Sequence, residues 1–350
     1  MKNKAGRILR LSMQPVLVGS LAALCACGGG SDEAPVAEAS VQAASAATAQ
    51  VAQRHANAYD RTGLVAIATS TDGKMVAVAH SDGRVSVLDA ASRSEIRQLS
   101  GPSTHPAAGL IFSADGRYLV TVGRDSAAQV WSTDTGTLSL TLHGPEHPLR
   151  SIGASADGSV VATGGEETRV MVWDGKTGRL KRILTGGTDF VNSVSVSPDG
   201  STVASGDASS RILVWDVASG HLLRTLKGHA GEVTATAFSP DGLLLASAGD
   251  DGKVALWEGA GNQPSTVLQA SGAPVRSVAF SRDGLLLAAG TANGQIKVWD
   301  ITTNTPVQQT ASSSKAINAL AFGVNDKSEL LFGDGQSSVM SMNVPHRSAR

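Results

Sequence analysis

Residues 229–258 read HAGEVTATAFSPDGLLLASAGDDGKVALWE. Val233–Phe238 predicts a strand, Ser239-Pro240-Asp241-Gly242 a turn and Leu243–Ser247 a second strand. Gly249-Asp250-Asp251-Gly252 then predicts a hairpin, and Lys253–Trp257 a third strand. Proline second and glycine fourth are what a type I turn favours. The run Leu243-Leu244-Leu245-Ala246 is continuously apolar rather than alternating, as expected of a sheet covered on both faces.

The same pattern recurs on either side. Trp131, Trp173, Trp215, Trp257 and Trp299 stand 42 residues apart and are all the tryptophans of the chain. Asp-Gly pairs keep step at Asp72, Asp115, Asp157, Asp199, Asp241 and Asp283, with a single interval of 43 at the start. Seven units fill residues 64–344. A period in the low forties built from strand-like runs predicts an all-β, seven-bladed β-propeller of four-stranded antiparallel blades, not a helical solenoid. The 39 glycines, with Val, Ser and Thr in short runs, agree with tight hairpins between strands.

The start of the chain has a different character. Lys2, Lys4, Arg7 and Arg10 precede a short apolar stretch, residues 11–24, interrupted by Gln14 and Pro15. That describes an export signal better than a membrane span. Leu24-Cys25-Ala26-Cys27 resembles the lipobox of bacterial lipoproteins. The resemblance implies cleavage after residue 26 and acylation of Cys27, which would hold the protein to a membrane through its N-terminal lipid alone. Gly28, rather than Asp, after that cysteine implies the periplasmic face of the outer membrane. Residues 27–52 are rich in Ala, Ser and Gln and form a tether, whose span as a flexible coil would be roughly 25–30 Å. The propeller is assigned to 53–346 and a tail to 347–350. Without the four basic residues of the leader the chain has 25 basic against 30 acidic side chains. A mildly acidic body without a basic stripe argues against nucleic acid.

The units themselves resemble the WD40 repeat family, with Trp-Asp at Trp173, Trp215 and Trp299 and the variants Trp131-Ser132 and Trp257-Glu258. In that family a Gly-His pair, a Ser or Thr, an Asp and the Trp make a buried hydrogen-bonded tetrad. Unit five carries it whole as His229, Ser247, Asp251 and Trp257, after Gly228. Unit two has Thr121, Asp125 and Trp131, while Glu167, Ser209, Asn293 and Gln336 take the acidic position elsewhere; Leu88 and Met342 replace Trp in units one and seven. Unit seven has no outer strand of its own, and the register places Gln53–Tyr59 where that strand belongs, so the N-terminal segment is expected to close the ring.

No H-E-x-x-H, G-x-S-x-G, C-x-x-C or G-x-G-x-x-G occurs. Gly175-Lys176-Thr177 reads as a hairpin turn, because Val170 stands where a phosphate loop needs glycine. Asp250-Asp251 lacks the further carboxylates of a calcium loop. No cofactor or metal is expected. The resemblance places partners at the channel rim that bears the starts of the innermost strands. Arg150, Asn192, Thr234, Arg276 and Asn318 recur there at 42-residue steps and should form one ring. Arg124 and Glu166 stand at the hairpins, and Phe190 and Glu232 at strand entries. None of Arg150, Phe190 and Arg276 is expected in the core, and Asp199 on the opposite face is expected to tolerate a charge reversal. The leading reading is a non-catalytic, monomeric scaffold docking a protein or peptide in the cell envelope. The alternative is a propeller hydrolase or lactonase with a site in the channel.

Overall fold

A computed structural model describes residues 63–99, 106–144, 147–311, 315–323, 329–333 and 338–345. The leader, Cys27, the tether and the closing segment Gln53–Tyr59 lie outside the described residues.

Among the described residues every element is a strand, and these strands form seven antiparallel sheets. Blade five is typical: Val233–Phe238, Leu244–Gly249, Lys253–Glu258 and Thr266–Gln269 pair in sequence order from the channel outward. The innermost strands of the other blades are Leu64–Thr69, Ala107–Phe112, Leu149–Ala154, Val191–Val196, Val275–Phe280 and Ala319–Phe322. Each packs on the innermost strand of the next blade, and the last packs on the first, so the ring closes into the predicted seven-bladed propeller. Blade seven shows three strands among the described residues, ending at Val339–Asn343.

The core lies between blades. Leu64, Ile67 and Val78 of blade one meet Ala319, Ala321 and Leu331 of blade seven in one buried cluster, and comparable clusters fill the other gaps. The tryptophans are buried at these seams. Burying a large apolar side chain is worth roughly 1.5–3 kcal/mol, which gives these few residues a large share of the adhesion between blades.

The Asp-Gly repeat has a local cause. In each of the six turns a serine two residues before the aspartate donates its hydroxyl to the carboxylate, at 2.5–2.7 Å. The serine oxygen accepts the N–H five residues on, and the carboxylate accepts the N–H just after the glycine, as Val160 and Ser159 do for Ser155 and Asp157. The glycine sits near φ +70°, a left-handed conformation that side chains resist. Asp199, fully engaged in such a turn, is therefore not the neutral surface site expected of it: it accepts from Ser197, Ser201 Oγ and the Ser201 N–H.

Candidate functional site

Five of the side chains expected at the rim come together where blades three, four and five meet. Arg150 enters from the innermost strand of blade three. Its Nη1 donates to Asn192 Oδ1 at 2.8 Å and its Nη2 to Glu166 Oε1 at 3.2 Å. The guanidinium lies over the Phe190 ring, 5.2 Å from its centroid, an arrangement worth about 0.5–2 kcal/mol depending on desolvation. Asn192 passes the chain on, its Nδ2 donating to Glu232 Oε2 at 3.3 Å. Farther round, Arg276 Nη1 donates to Asp250 Oδ1 at 3.2 Å.

A backbone irregularity aims these residues. In each of the six blades with a complete sheet the innermost strand carries one extra residue against its neighbour. The bulged residues are Val65, Ala108, Arg150, Asn192, Thr234 and Arg276. A β-bulge re-aims a side chain that a regular pleat would send into a seam between blades. The ring of positions is thus a ring of bulges. Asn318 stands just ahead of the seventh innermost strand.

Adjacent blades also share hydroxyls along the channel. Ser151 Oγ accepts the Val194 N–H at 2.6 Å, and Ser193 Oγ accepts the Thr236 N–H at 2.8 Å. These bonds satisfy backbone groups that the innermost strand's open edge would otherwise leave unpaired. The strand entries are pinned too: Glu166 N–H donates to Pro148 O, Ala208 N–H to Phe190 O and Asp250 N–H to Glu232 O. The hairpins of blades three, four and five are thus tied to the strand entries that carry the rim.

The positions differ in what they present. Phe190 is 45% exposed, and Arg124 is exposed on the hairpin of blade two. Glu166, Glu232 and Arg276 are half-buried. Asn192, Thr234 and Asn318 are buried, so they support the rim and do not face a partner. Thr234 Oγ1 donates to Val275 O at 2.7 Å and to Ala248 O at 3.1 Å. Arg150 departs from expectation. Its side chain is only 12% exposed, held by Glu166 of its own blade and by Asn192 and Phe190 of blade four, so removing it would loosen the join between blades three and four.

The tetrad side chains of blade five are in contact. His229 Nδ1 lies 3.1 Å from both Asp251 oxygens and its Nε2 2.8 Å from Ser247 Oγ, which also accepts Trp257 Nε1–H at 2.8 Å. Burial alone would raise the Asp251 carboxyl's pKa. The Ala230 N–H, His229 and the Lys253 N–H outweigh that and hold it below the usual carboxylate range. Sequence reading overlooked partial sets in blades three and four. Thr163 accepts Trp173 Nε1–H at 3.0 Å, whereas in blade four Trp215 donates to Thr185 O and Ser205 stays buried without a partner. Trp131 donates to Thr121 Oγ1 at 2.9 Å, while Asp125 Oδ2 accepts from Gln129 at 3.3 Å. Glu167 pairs with Arg169, Ser209 donates to Asp189, and Asn293 accepts from Thr291. Gln336 lies outside the described residues.

Blade four replaces the missing histidine by another arrangement. Gly187 occupies the histidine position and Asp207 the place of Gly249, where any side chain would strike the His229 ring. The fully buried Asp207 accepts from Arg211 N, Nε and Nη2 at 2.9, 3.1 and 2.8 Å.

The sequence pattern of the family described as WD domain, G-beta repeat matches residues 93–132, 136–174, 178–216, 220–258 and 262–300. The chain belongs to the WD40 family. Each match ends on or beside the Trp-Asp position, and the parts of units one and seven that carry Leu88 and Met342 lie outside the matches. Curated proteins gave no match. In this WD40 propeller no group of three or more His, Cys, Asp or Glu side chains that could hold a metal ion occurs among the described residues.

Stability separates the intact tetrad from a degenerate blade. Asp251→Ala strips His229 and the Ala230 and Lys253 N–H groups of their acceptor, a loss of about 1–3 kcal/mol. Asn293→Ala on the exposed hairpin of blade six should cost under about 0.5 kcal/mol, since the Thr291 hydroxyl keeps Gln295 O as acceptor. Because the folded pKa of Asp251 is depressed, its contribution is present above the unfolded value and is lost as pH falls through the folded one. Thermal melts of parent and Asp251→Ala should therefore converge in acid. Equal shifts for the two alanine variants at neutral pH would contradict the assignment.

Proposed function

We propose that this WD40 protein is a non-catalytic, monomeric scaffold that docks a protein or peptide partner at the channel mouth over blades three to six. We further propose that acyl chains on Cys27 hold it to the periplasmic face of a bacterial outer membrane. The observation that carries the docking reading is Phe190, a half-exposed aromatic on a pinned backbone, beside a network that crosses three blades. WD40 propellers commonly bind protein partners, and rigid aromatic and arginine side chains dominate many interface energies. Photocrosslinkers at Glu232 and at Leu243, which is 72% exposed on a turn of the opposite face, test it in envelope preparations. A defined protein should be captured from Glu232 alone; capture from Leu243 alone would move the site to the other face.

The anchoring reading rests on Leu24-Cys25-Ala26-Cys27 after a basic, apolar leader. More than one acyl chain gives a firm hold on a bilayer, whereas one chain binds marginally. Cys27→Ser is expected to leave the membrane fraction and appear as soluble protein. Retention of that variant on membranes after a mild salt wash would remove the lipid anchor from the account.

A further inference from the structure

We propose that the partner reaches this mouth with a cationic side chain, a lysine or arginine, whose stem lies along Phe190 and whose charge meets Asp189. The inference rests on the docking reading above and adds the chemistry of what docks. Four arginines flank this arc, and each already has a carboxylate within 3.2 Å: Arg150 with Glu166, Arg169 with Glu167, Arg211 with Asp207 and Arg276 with Asp250. An acidic ligand would have to displace those ion pairs. Asp189 differs. Its Oδ1 accepts the Phe190 N–H at 2.8 Å and its Oδ2 the Ser209 hydroxyl at 2.9 Å, both neutral donors, and no Lys or Arg among the described residues forms an ion pair with it. These bonds fix its position, and the half-buried carboxylate carries a charge that no ion pair among the described residues neutralises. The ring of Phe190, the next residue in the chain, already stacks with one guanidinium, while almost half of that residue's surface stays open. A second cation over an aromatic ring, beside a localised carboxylate, gains from both, and the alkyl stem covers the exposed ring.

A random peptide display library panned on the full-length protein tests this without knowledge of the natural partner. Enriched peptides should share a lysine or arginine at one position. Acetylating that lysine, or replacing the arginine by citrulline, should weaken binding at least tenfold. Phe190→Ala should do the same. Asp189→Asn removes the charge, keeps an oxygen to accept the Phe190 N–H and turns an amide N–H toward the Ser209 hydroxyl, which can accept it; it should weaken binding about fivefold with a melting temperature within about 3 °C of the parent. Affinity should also fall as salt rises. Selection of acidic peptides that depend on Arg124, of apolar peptides indifferent to Asp189→Asn, or of no consensus at all would overturn the cationic ligand. Binders of any charge insensitive to Phe190, Asp189 and Arg276 alike would overturn the docking face itself.

Discussion

Deleting residues 53–59 is expected to make the protein aggregate or melt about 10 °C or more below the parent. At about 2.1 cal/mol/K of unfolding entropy per residue, that corresponds to roughly 6 kcal/mol for a domain of this size. The outer edge of Val339–Asn343 has no strand paired with it among the described residues, while every other blade has a fourth strand. The 42-residue register assigns 53–59 to that place. A ring closed by strands from both chain ends resists unravelling, whereas an open edge invites pairing with another chain. Deleting 32–47 from the tether is the control and should leave melting unchanged. A 53–59 deletion as stable as the parent would mean that the ring is closed by something else.

Asp207→Ala is expected to cost about 3 kcal/mol, since breaking a buried charged pair commonly costs 3–5 kcal/mol. The lower end applies because the Arg211 side chain keeps 21% of its surface in solvent and also donates to Thr188. The loss should exceed that of Asp251→Ala, although only Asp251 stands at the family's tetrad position. Urea unfolding at neutral pH would rank the two. A smaller loss at Asp207 would mean that its ion pair does not replace the missing histidine of blade four.

The fold was legible because it is periodic. Tryptophan in five units and Asp-Gly in six, at steps of 42 or 43 residues, mark out the repeat and place the strands within it, and the run of units from 64 to 344 leaves room for seven. Equivalent positions also identified the rim, since side chains that recur at 42-residue steps face the same way. Periodicity does not reveal what each side chain then meets. Arg150 read as a solvent-facing charge, yet a bulge turns it toward Asn192, Glu166 and Phe190, which stand 42, 16 and 40 residues away. Bulges leave no mark in composition, because Val65, Ala108, Arg150, Asn192, Thr234 and Arg276 share no chemistry. Asp207 was missed for a related reason: it fills a site defined by the absence of a histidine and the loss of a glycine. The strongest missed signal was simple. Thr163 and Ser205 stand at 42-residue steps from Thr121 and Ser247, and following that step would have found them.

The burial of Arg150 also decides how the docking face should be probed. A triple change at Arg150, Phe190 and Arg276 would mix lost stability with lost contacts. Phe190→Ala with Arg276→Ala spares the network's centre, and Leu243→Glu on the opposite face replaces Asp199→Lys as control, because Asp199 closes a turn. The deciding measurement is quantitative recovery of the crosslinked partner from envelopes carrying parent, double variant or control at matched expression. Recovery should fall at least tenfold for the double variant, with a melting temperature within about 3 °C of the parent, and should be unchanged for Leu243→Glu. Full recovery with Phe190 and Arg276 removed, together with loss on Leu243→Glu, would contradict the claim that this WD40 propeller binds through the mouth of its channel.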